Sequence, residues 1–559
     1  MTTKLALILP EILLVVGAIV VTVLGLARTK MWRDAVPAVT IGLLLAAAGL
    51  VHTVTTEDRL AVAGLVLPGL GLYAKTLILL GGAALVLLGI GLIDRKLEAA
   101  FASGRAAFDA IRVMRGEYHS FLLLSIAGAC LLCNAPDLIW LFLAIELVSL
   151  PTYIMVATSR SSRKAQEAAV KYFFLGAMSS AILLYGFALI YGATGSLELL
   201  AIQASFADQA ASGGISTLGL IGLTMVILGL CYKVSAAPMH FYAPDVYEGA
   251  ATPLTAFLAF TPKIAGFLAL IIILSCVGWS GHTMTVNGEI LAVDGLPRPI
   301  TALLWMIAVL TMTLGNVGAL LQRSLKRMLA YSSIAHTGYM LIGVIAGPAL
   351  ATASGGWGIS GINALLFYLL GYAIMNIATF GPLASLERNG EEIESLDDIA
   401  GLRQRHPGLA AALAVGAGSL IGLPPLLGFW AKLYLFAAGI EKGQTVLVVI
   451  AAVNSGISVY YYLKLLSEPL VAPTTPRSET VSTTASIWPR VATAVTAVLL
   501  VVLPVFLAPT IAAANRATQT TERTVEPAGD ALGAGVAPAA DRQDAASEAT
   551  SVPLASALP

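Results

Sequence analysis

Apolar stretches about as long as a bilayer's hydrocarbon core recur from one end of this chain to the other. They lie near 5–26, 36–53, 73–93, 118–133, 138–157, 167–192, 215–241, 252–277, 300–321, 328–347, 357–386, 409–436, 445–467 and 487–511. Crossing that core takes roughly 20 helical residues, so the chain is expected to span it about fourteen times. A spanning segment must satisfy its own backbone hydrogen bonds, and these runs lack the two-residue alternation of a barrel strand, so they read as helices. Composition agrees: with 58% hydrophobic and 11% charged residues, a 559-residue chain carries too little charge to clothe a soluble globule. Lys+Arg and Asp+Glu are equal at 32 each, which leaves no net basicity for nucleic acid.

Charge placement sets the topology. The first run is too long for the apolar core of a signal peptide and is followed by Arg28, Lys30 and Arg33, so it reads as a retained first span. Loops after odd-numbered runs also hold Arg95, Lys96, Arg105, Arg112 and Arg115, then Arg160, Arg163 and Lys164, then Arg323, Lys326 and Arg327, then Arg388, Arg403 and Arg405, then Lys464 and Arg477. Roughly nineteen of the 32 basic residues thus fall on one side, against stray ones such as Arg59, Arg298 and Lys442 on the other. Both termini are therefore expected on the non-cytoplasmic side. From about Ala512 to Pro559 the composition turns to Ala, Thr, Pro, Asp and Glu with no aromatic residue, the pattern of a disordered tail.

Two runs contain helix breakers. Pro238 follows an apolar run directly, and Pro424 with Pro425 interrupts another. Proline removes a backbone donor and clashes with the preceding turn, so both helices should be discontinuous. The breaks fall in the seventh and twelfth runs. A five-helix unit over 118–277 followed by another over 300–467 would start from opposite membrane faces, which predicts two inverted repeats. An N-terminal segment of three helices (1–117) would precede them, and one further helix (468–511) would follow before the tail (512–559). The expected fold class is thus all-α: a polytopic membrane protein with two inverted repeats, each holding a broken helix.

A charge at the bilayer centre costs about 2.5–3.5 kcal/mol on insertion scales, so such residues are usually paired and functional. Glu146 lies within LIWLFLAIELVSLP, Lys233 just before the first break, Lys263 within LAFTPKIAGFLAL, and Lys432 just after the second break. Lysine suits proton transfer because desolvation favours its neutral form while a nearby carboxylate restores the charge. A static ion pair is the competing reading for each. Lys171, near the start of its run, could instead reach the interface. His240, past the first break, and His336, in AYSSIAHTGYML, are candidate relays, whereas His119 beside Glu117 reads as interfacial. Cys130, Cys133, Cys231 and Cys276 all sit in apolar runs, as packing residues do. No Gly-rich dinucleotide motif, iron–sulfur cysteine set or Ser/His/Asp arrangement is present.

The run KVSAAPMHFYAPDVYEGAATP from Lys233 to Pro253 resembles the hallmark of the antiporter-like membrane subunits shared by NADH-quinone oxidoreductase (complex I) and the Mrp-type cation/proton antiporters. KYFFLGAMSSAILLYG from Lys171, KRMLAYSSIAHTGY from Lys326 and SLIGLPPLLGFWAK from Ser419 match further motifs, so the resemblance covers about 118–467. The DVYEGA wording and the modest length look most like the subunit N branch. The resemblance implies a proton-translocating role within a bacterial inner-membrane translocase. Glu146 would modulate the charge of Lys233, Lys263 would pass protons between halves, and Lys432 would face the exit. Lys171 and His240 would support them. Tyr242 departs from the family's usual Trp. No cofactor is implied in this chain; FMN, iron–sulfur clusters and quinone would belong to partner subunits. Partners would be other membrane subunits of the complex, neighbouring antiporter-like subunits among them, and membrane lipids. Two alternatives stand beside this one: a subunit of an Mrp-type sodium/proton antiporter, and a scaffold that no longer transports.

Overall fold

The computed structural model describes residues 2–27, 29–56, 59–60, 65–90, 100, 103–105, 115–160, 162–279, 282–286, 289–293, 295–348 and 360–522. Within them the chain is mostly helical. After the short α1 (Thr2–Leu7), the helices are α2 (Leu9–Gly25), α3 (Lys30–Val54), α4 (Leu70–Gly89), α5 (Arg115–Leu132), α6 (Leu138–Thr158) and α7 (Arg163–Thr194). Next come α8 (Leu199–Ala211), α9 (Thr217–Val234), α10 (Tyr242–Gly249), α11 (Thr252–Val277), α12 (Arg298–Leu320) and α13 (Leu325–Ala346). The chain continues through α14 (Gly361–Ala384), α15 (Pro407–Ile421), α16 (Leu427–Glu441), α17 (Thr445–Leu470), α18 (Trp488–Val502) and α19 (Leu507–Glu522). Among the described residues, 11 helices are long and apolar enough to cross a membrane, and three shorter apolar ones accompany them: Leu9–Gly25, Gly116–Leu132 and Pro407–Ile421.

Several helices begin at a side-chain cap. Asp137, Ser162, Ser216, Ser324 and Ser360 each accept a hydrogen bond from a backbone N–H of the first turn, satisfying donors that lipid could not. The bundle is layered by burial. Every residue of α11 is buried, and α13 and α14 are nearly so. A helix apolar on all sides belongs inside a large bundle, and these three carry Lys263, His336 and the tyrosines between them. Outer helices keep an exposed apolar stripe, such as Met306, Leu310 and Leu314 on α12, as lipid-facing helices should.

The structure departs from the expected all-α architecture in two small sheets. Antiparallel β1 (His282–Val286) and β2 (Glu289–Val293) form a hairpin, and β3 (Leu386–Arg388) lies between β4 (Glu391–Glu392) and β5 (Val481–Thr483). Both sit in connections between apolar runs, where backbone groups pair with one another. The half-buried α8 was not anticipated either; Leu199, Ile202, Phe206 and Ala210 give it a buried stripe. The last apolar run is divided by a 3-10 turn at Leu503–Phe506, and its helix continues to Glu522, past the expected start of the tail. The rest of that tail, 523–559, lies outside the described residues, as do Arg28, Arg95, Lys96 and Arg112.

Both proline-containing runs are interrupted. The first stops at Val234, where Ser235 turns left-handed at φ 59°, and resumes at Tyr242. The second stops at Ile421, with Gly422 at φ 90°, and resumes at Leu427. At this second break a Cβ on Gly428 would lie 1.8 Å from the Ser419 carbonyl oxygen, and the Gly428 N–H donates to Ser419 Oγ at 3.0 Å. Gly428→Ala should therefore push the two half-helices apart and destabilise the protein by about 1–3 kcal/mol, the usual cost of overpacking. Gly456→Ala, where an added Cβ meets nothing within 4 Å, should be neutral. Thermal unfolding in mild detergent checks both.

Candidate functional site

The end of α9 places Lys233 against α6. Its Nζ donates to Glu146 Oε1 at 3.1 Å and to Ser149 Oγ at 2.8 Å, and Ser180 Oγ on α7 donates to the same carboxylate oxygen at 2.6 Å. Both side chains are largely shielded, at 5% and 17% exposed. The break that frees Lys233 is closed by side chains from elsewhere. Thr337 Oγ1 donates to the Val234 carbonyl at 2.7 Å, the Ala237 N–H donates to Thr311 Oγ1 at 2.9 Å, and Tyr242 donates to the Tyr232 carbonyl at 2.8 Å. Irregular backbone at membrane depth is tolerated where such partners exist. Tyr242, the departure from the family's Trp, uses its hydroxyl for this purpose.

Lys263 lies mid-way along α11. Its Nζ donates to the Ser333 carbonyl at 2.6 Å and to Ser333 Oγ at 2.5 Å, and it stands 5.2 Å above the Tyr372 ring. Gly266, one turn on, lets α11 lie directly on the end of α9: a Cβ there would approach Lys233 Cβ to 3.1 Å and Val234 Cγ1 to 2.6 Å. His336, on α13 beyond Ser333, shares hydrogen bonds with Tyr368 at Nδ1 (2.6 Å) and Tyr462 at Nε2 (2.9 Å). Tyr462 also bonds Ser332. Beyond it, Asn316 joins Tyr461, Tyr339 and Asn454 in one buried network. Lys432 follows: it stands 5.4 Å from the Tyr339 ring and donates to Ser455 Oγ at 2.9 Å and to the Leu420 and Ile421 carbonyls at 3.0 and 2.8 Å. Those carbonyls are the ones the second break leaves without helical partners.

Glu146 and Lys233 thus form a buried pair at the first break, and Lys263, His336 and Lys432 are further buried members of the same polar file, with no side-chain hydrogen bond among the described residues joining Lys233 to Lys263. Two sequence candidates stand apart. Lys171 is 42% exposed and pairs with Asp245 at 2.6 Å and Glu167 at 2.8 Å. His240 is buried against Phe241 beside the break, but its Nδ1 has no hydrogen-bond partner among the described residues. His119 is buried, and the four cysteines are buried thiols.

Two buried ion pairs escaped sequence reasoning. Glu11 on α2 and Lys75 on α4 meet at 2.6 Å, and Lys75 also donates to the Leu7 carbonyl at 3.2 Å. Each charge sits in an apolar run, LPEILLVV or LYAKTLILL, and pairing their opposite signs was the available signal. Lys326, counted among the loop cations, is only 1% exposed; it donates to Glu392 at 3.1 Å and to the Ala250 carbonyl at 2.7 Å. Nothing in the spacing could pair it with Glu392, 66 residues away.

Glu392 in turn caps α11, accepting from the Thr252 N–H at 3.0 Å and Oγ1 at 2.9 Å, with Arg160 at 4.0 Å. Burial pushes its carboxyl up, but Lys326, Arg160 and the Thr252 donors outweigh this and hold it below the ordinary glutamate range. Arg160 and Glu392 come from the connections after α6 and α14 and Lys326 from the first turn of α13, so these segments share one face of the bundle.

The family model described as NADH:quinone oxidoreductase/Mrp antiporter, transmembrane region, matches residues 135–458, which include both broken helices and Glu146, Lys233, Lys263, His336 and Lys432. Fold and site therefore define an antiporter-type membrane subunit. Curated relatives narrow this: NADH-quinone oxidoreductase subunit N of Rhodospirillum rubrum is 37% identical over 461 residues, covering 82% of this chain and 86% of that one. That of Gemmatimonas aurantiaca is 37% identical over 516 residues, covering 92% and 86%. The chain belongs to the NADH-quinone oxidoreductase subunit N family. Among solved structures, a chain of respiratory complex I from Thermus thermophilus is similar at a TM-score of 0.65 and 29% identity, covering 90% of this chain and 99% of that one. A chain of the Mrp complex from Dietzia shares the fold at a TM-score of 0.67 and 21% identity, covering 94% and 98%.

A carboxyl held below its ordinary value stabilises the fold above the unfolded value, about pH 4.3 for glutamate, and that contribution is lost as pH falls through the folded value. The thermal midpoint of the protein should therefore fall on acidification beneath this range. Glu392→Gln should flatten the pH dependence and cost about 3–5 kcal/mol at neutral pH, because it strands Lys326.

Proposed function

We propose that this chain is the proton-translocating membrane subunit of an NADH-quinone oxidoreductase, and that Glu146, Lys233, Lys263, His336 and Lys432 carry the proton. The observation that supports this best is the shielded Glu146/Lys233 pair at a helix break, in line with two further buried lysines. In this reading, quinone reduction in partner subunits changes the Glu146–Lys233 separation. Apart, Lys233 sheds its proton, since desolvation favours the neutral amine; together, the carboxylate holds it. The released proton passes to Lys263, then by way of His336 and the tyrosine hydroxyls to Lys432, and leaves at the far side. Lys171 and His240 support the uptake side. Each charge moved against the field costs about 2.3 kcal/mol per 100 mV, so an ungated file would leak backwards; the distance-dependent pair supplies the gate.

The finer architecture belongs to the same proposal. The 11 long and three shorter apolar helices make fourteen spans when the two halves of the second broken helix are taken as one. The units 118–277 and 300–467 are inverted repeats related through their breaks. The chain lies in a bacterial inner membrane with both termini on the non-cytoplasmic side, beside other membrane subunits of the complex, including antiporter-like neighbours. FMN, iron–sulfur clusters and quinone are held by partner subunits. The Mrp-type alternative has a shared fold for support, and at 21% identity nothing more specific.

Removing the amine takes away a carrier and leaves the proton facing the about 2.5–3.5 kcal/mol of an unsolvated charge. Lys233→Ala should therefore slow quinone-linked proton pumping roughly a hundredfold, measured as ΔpH formation by the assembled complex in vesicles. Glu146→Gln should slow it as well while leaving assembly intact. Full pumping by either variant would refute the assignment.

A further inference from the structure

Arg298 and Lys442 are two of the stray cations of the face where basic residues are scarce, and the proton file uses neither. The fold brings both to one cavity of about 670 Å³, together with Thr301, Gln444, Trp279 and Trp305. Four of these lie at ends of membrane helices. Trp279 follows α11, Arg298 opens α12, Lys442 closes α16 and Gln444 precedes α17. The end of α13 completes the wall through Ala346 and Pro348. Since α13 starts beside Glu392, this is the opposite face from the Arg160/Lys326/Glu392 cluster.

The cavity is built rather than incidental. The Trp279 indole N–H donates to the Val344 carbonyl at 3.1 Å. Its ring lies against Gly347, where a Cβ would come within 2.2 Å of the indole and where φ is 69°. From the cavity edge at Ala302, the exposed side chains of Met306, Leu310 and Leu314 continue down α12 at four-residue intervals. Beyond Gln444, exposed Val446, Val449 and Val453 run down α17, which packs against α12. A cationic head pocket thus opens onto a two-helix apolar gutter at the depth where tryptophans favour the membrane interface.

We propose that this cavity binds an acidic phospholipid of the phosphatidylglycerol type, its phosphate between Arg298 and Lys442 and its acyl chains along α12 and α17. Two cations facing one phosphodiester favour a lipid with a net negative head over a zwitterionic one, which would bring its own cation into the pocket. Thr301 and Gln444 supply hydrogen-bonding groups for a hydroxyl-bearing head. The volume lies within the range of about 300–1,000 Å³ common to small-molecule sites.

The test uses the whole complex in nanodiscs of mixed phosphatidylglycerol and phosphatidylcholine, followed by native mass spectrometry of the retained lipid. R298Q/K442Q should lower the preference for retained phosphatidylglycerol by about thirtyfold, the combined weight of two interfacial cations, whereas R298K/K442R should keep it. A302W, which fills the cavity mouth without changing charge, should expel the lipid and gives the same reading if the double variant fails to assemble. Unchanged retention in R298Q/K442Q or A302W complexes would overturn the proposal. Excess inorganic phosphate should leave the lipid in place, because the acyl chains anchor it. Displacement by phosphate alone would assign the site to a free anion and likewise overturn it. Neither result bears on the proton file, whose residues are untouched.

Discussion

The Glu146–Lys233 pair sits where a helix stops inside a bundle surrounded by lipid, and the rest of the architecture is arranged around what that stop requires. Ending a helix there frees carbonyls and N–H groups from their helical partners. The structure supplies them from other helices: Thr311 and Thr337 from α12 and α13, and Tyr242 from the resumed segment. Two of the three side chains that hold the first break thus come from the second half of the chain. That interlock makes the position of Lys233 a property of the whole bundle.

The three lysines of the file are solvated differently, and the difference has chemical content. Lys233 has a carboxylate and two hydroxyl-bearing neighbours within reach of the pair. Lys263 and Lys432 meet serine hydroxyls, backbone carbonyls and tyrosine faces instead, with no carboxylate in ion-pair range among the described residues. Neutral dipoles and ring faces stabilise an ammonium less than an anion does. A charge on Lys263 or Lys432 therefore lacks the carboxylate partner that Lys233 has among the described residues. The aromatic-rich stretch from Tyr372 to Tyr339, with His336 at its middle, adds hydroxyls that can donate and accept in turn.

The apolar runs were legible because lipid imposes one length and one hydrogen-bonding solution, and the helices fall on nearly all of them. The four charged residues Glu146, Lys233, Lys263 and Lys432 stood out for the same reason: a charge amid twenty apolar residues has few explanations. Lys326 was not legible as a buried residue, because two positions into a helix a lysine reads as interfacial whether it faces water or Glu392. The Glu11–Lys75 pair was obscured by the same proximity to helix ends. His336 could be named, but its partners Tyr368 and Tyr462 could not, since tyrosines in apolar runs are common and only packing tells a hydroxyl in a network from an aromatic at an interface.

Composition and spacing by themselves determined that this chain lives in a membrane as helices, that two helices are interrupted, and that a few ionisable side chains are held in the interior, because each follows from the local cost of placing polar atoms in hydrocarbon. Tertiary structure alone decided which of those side chains meet. Hydrogen bonds and ion pairs act over about 3 Å between helices distant in sequence, and no one-dimensional pattern encodes the rotation of one helix against another.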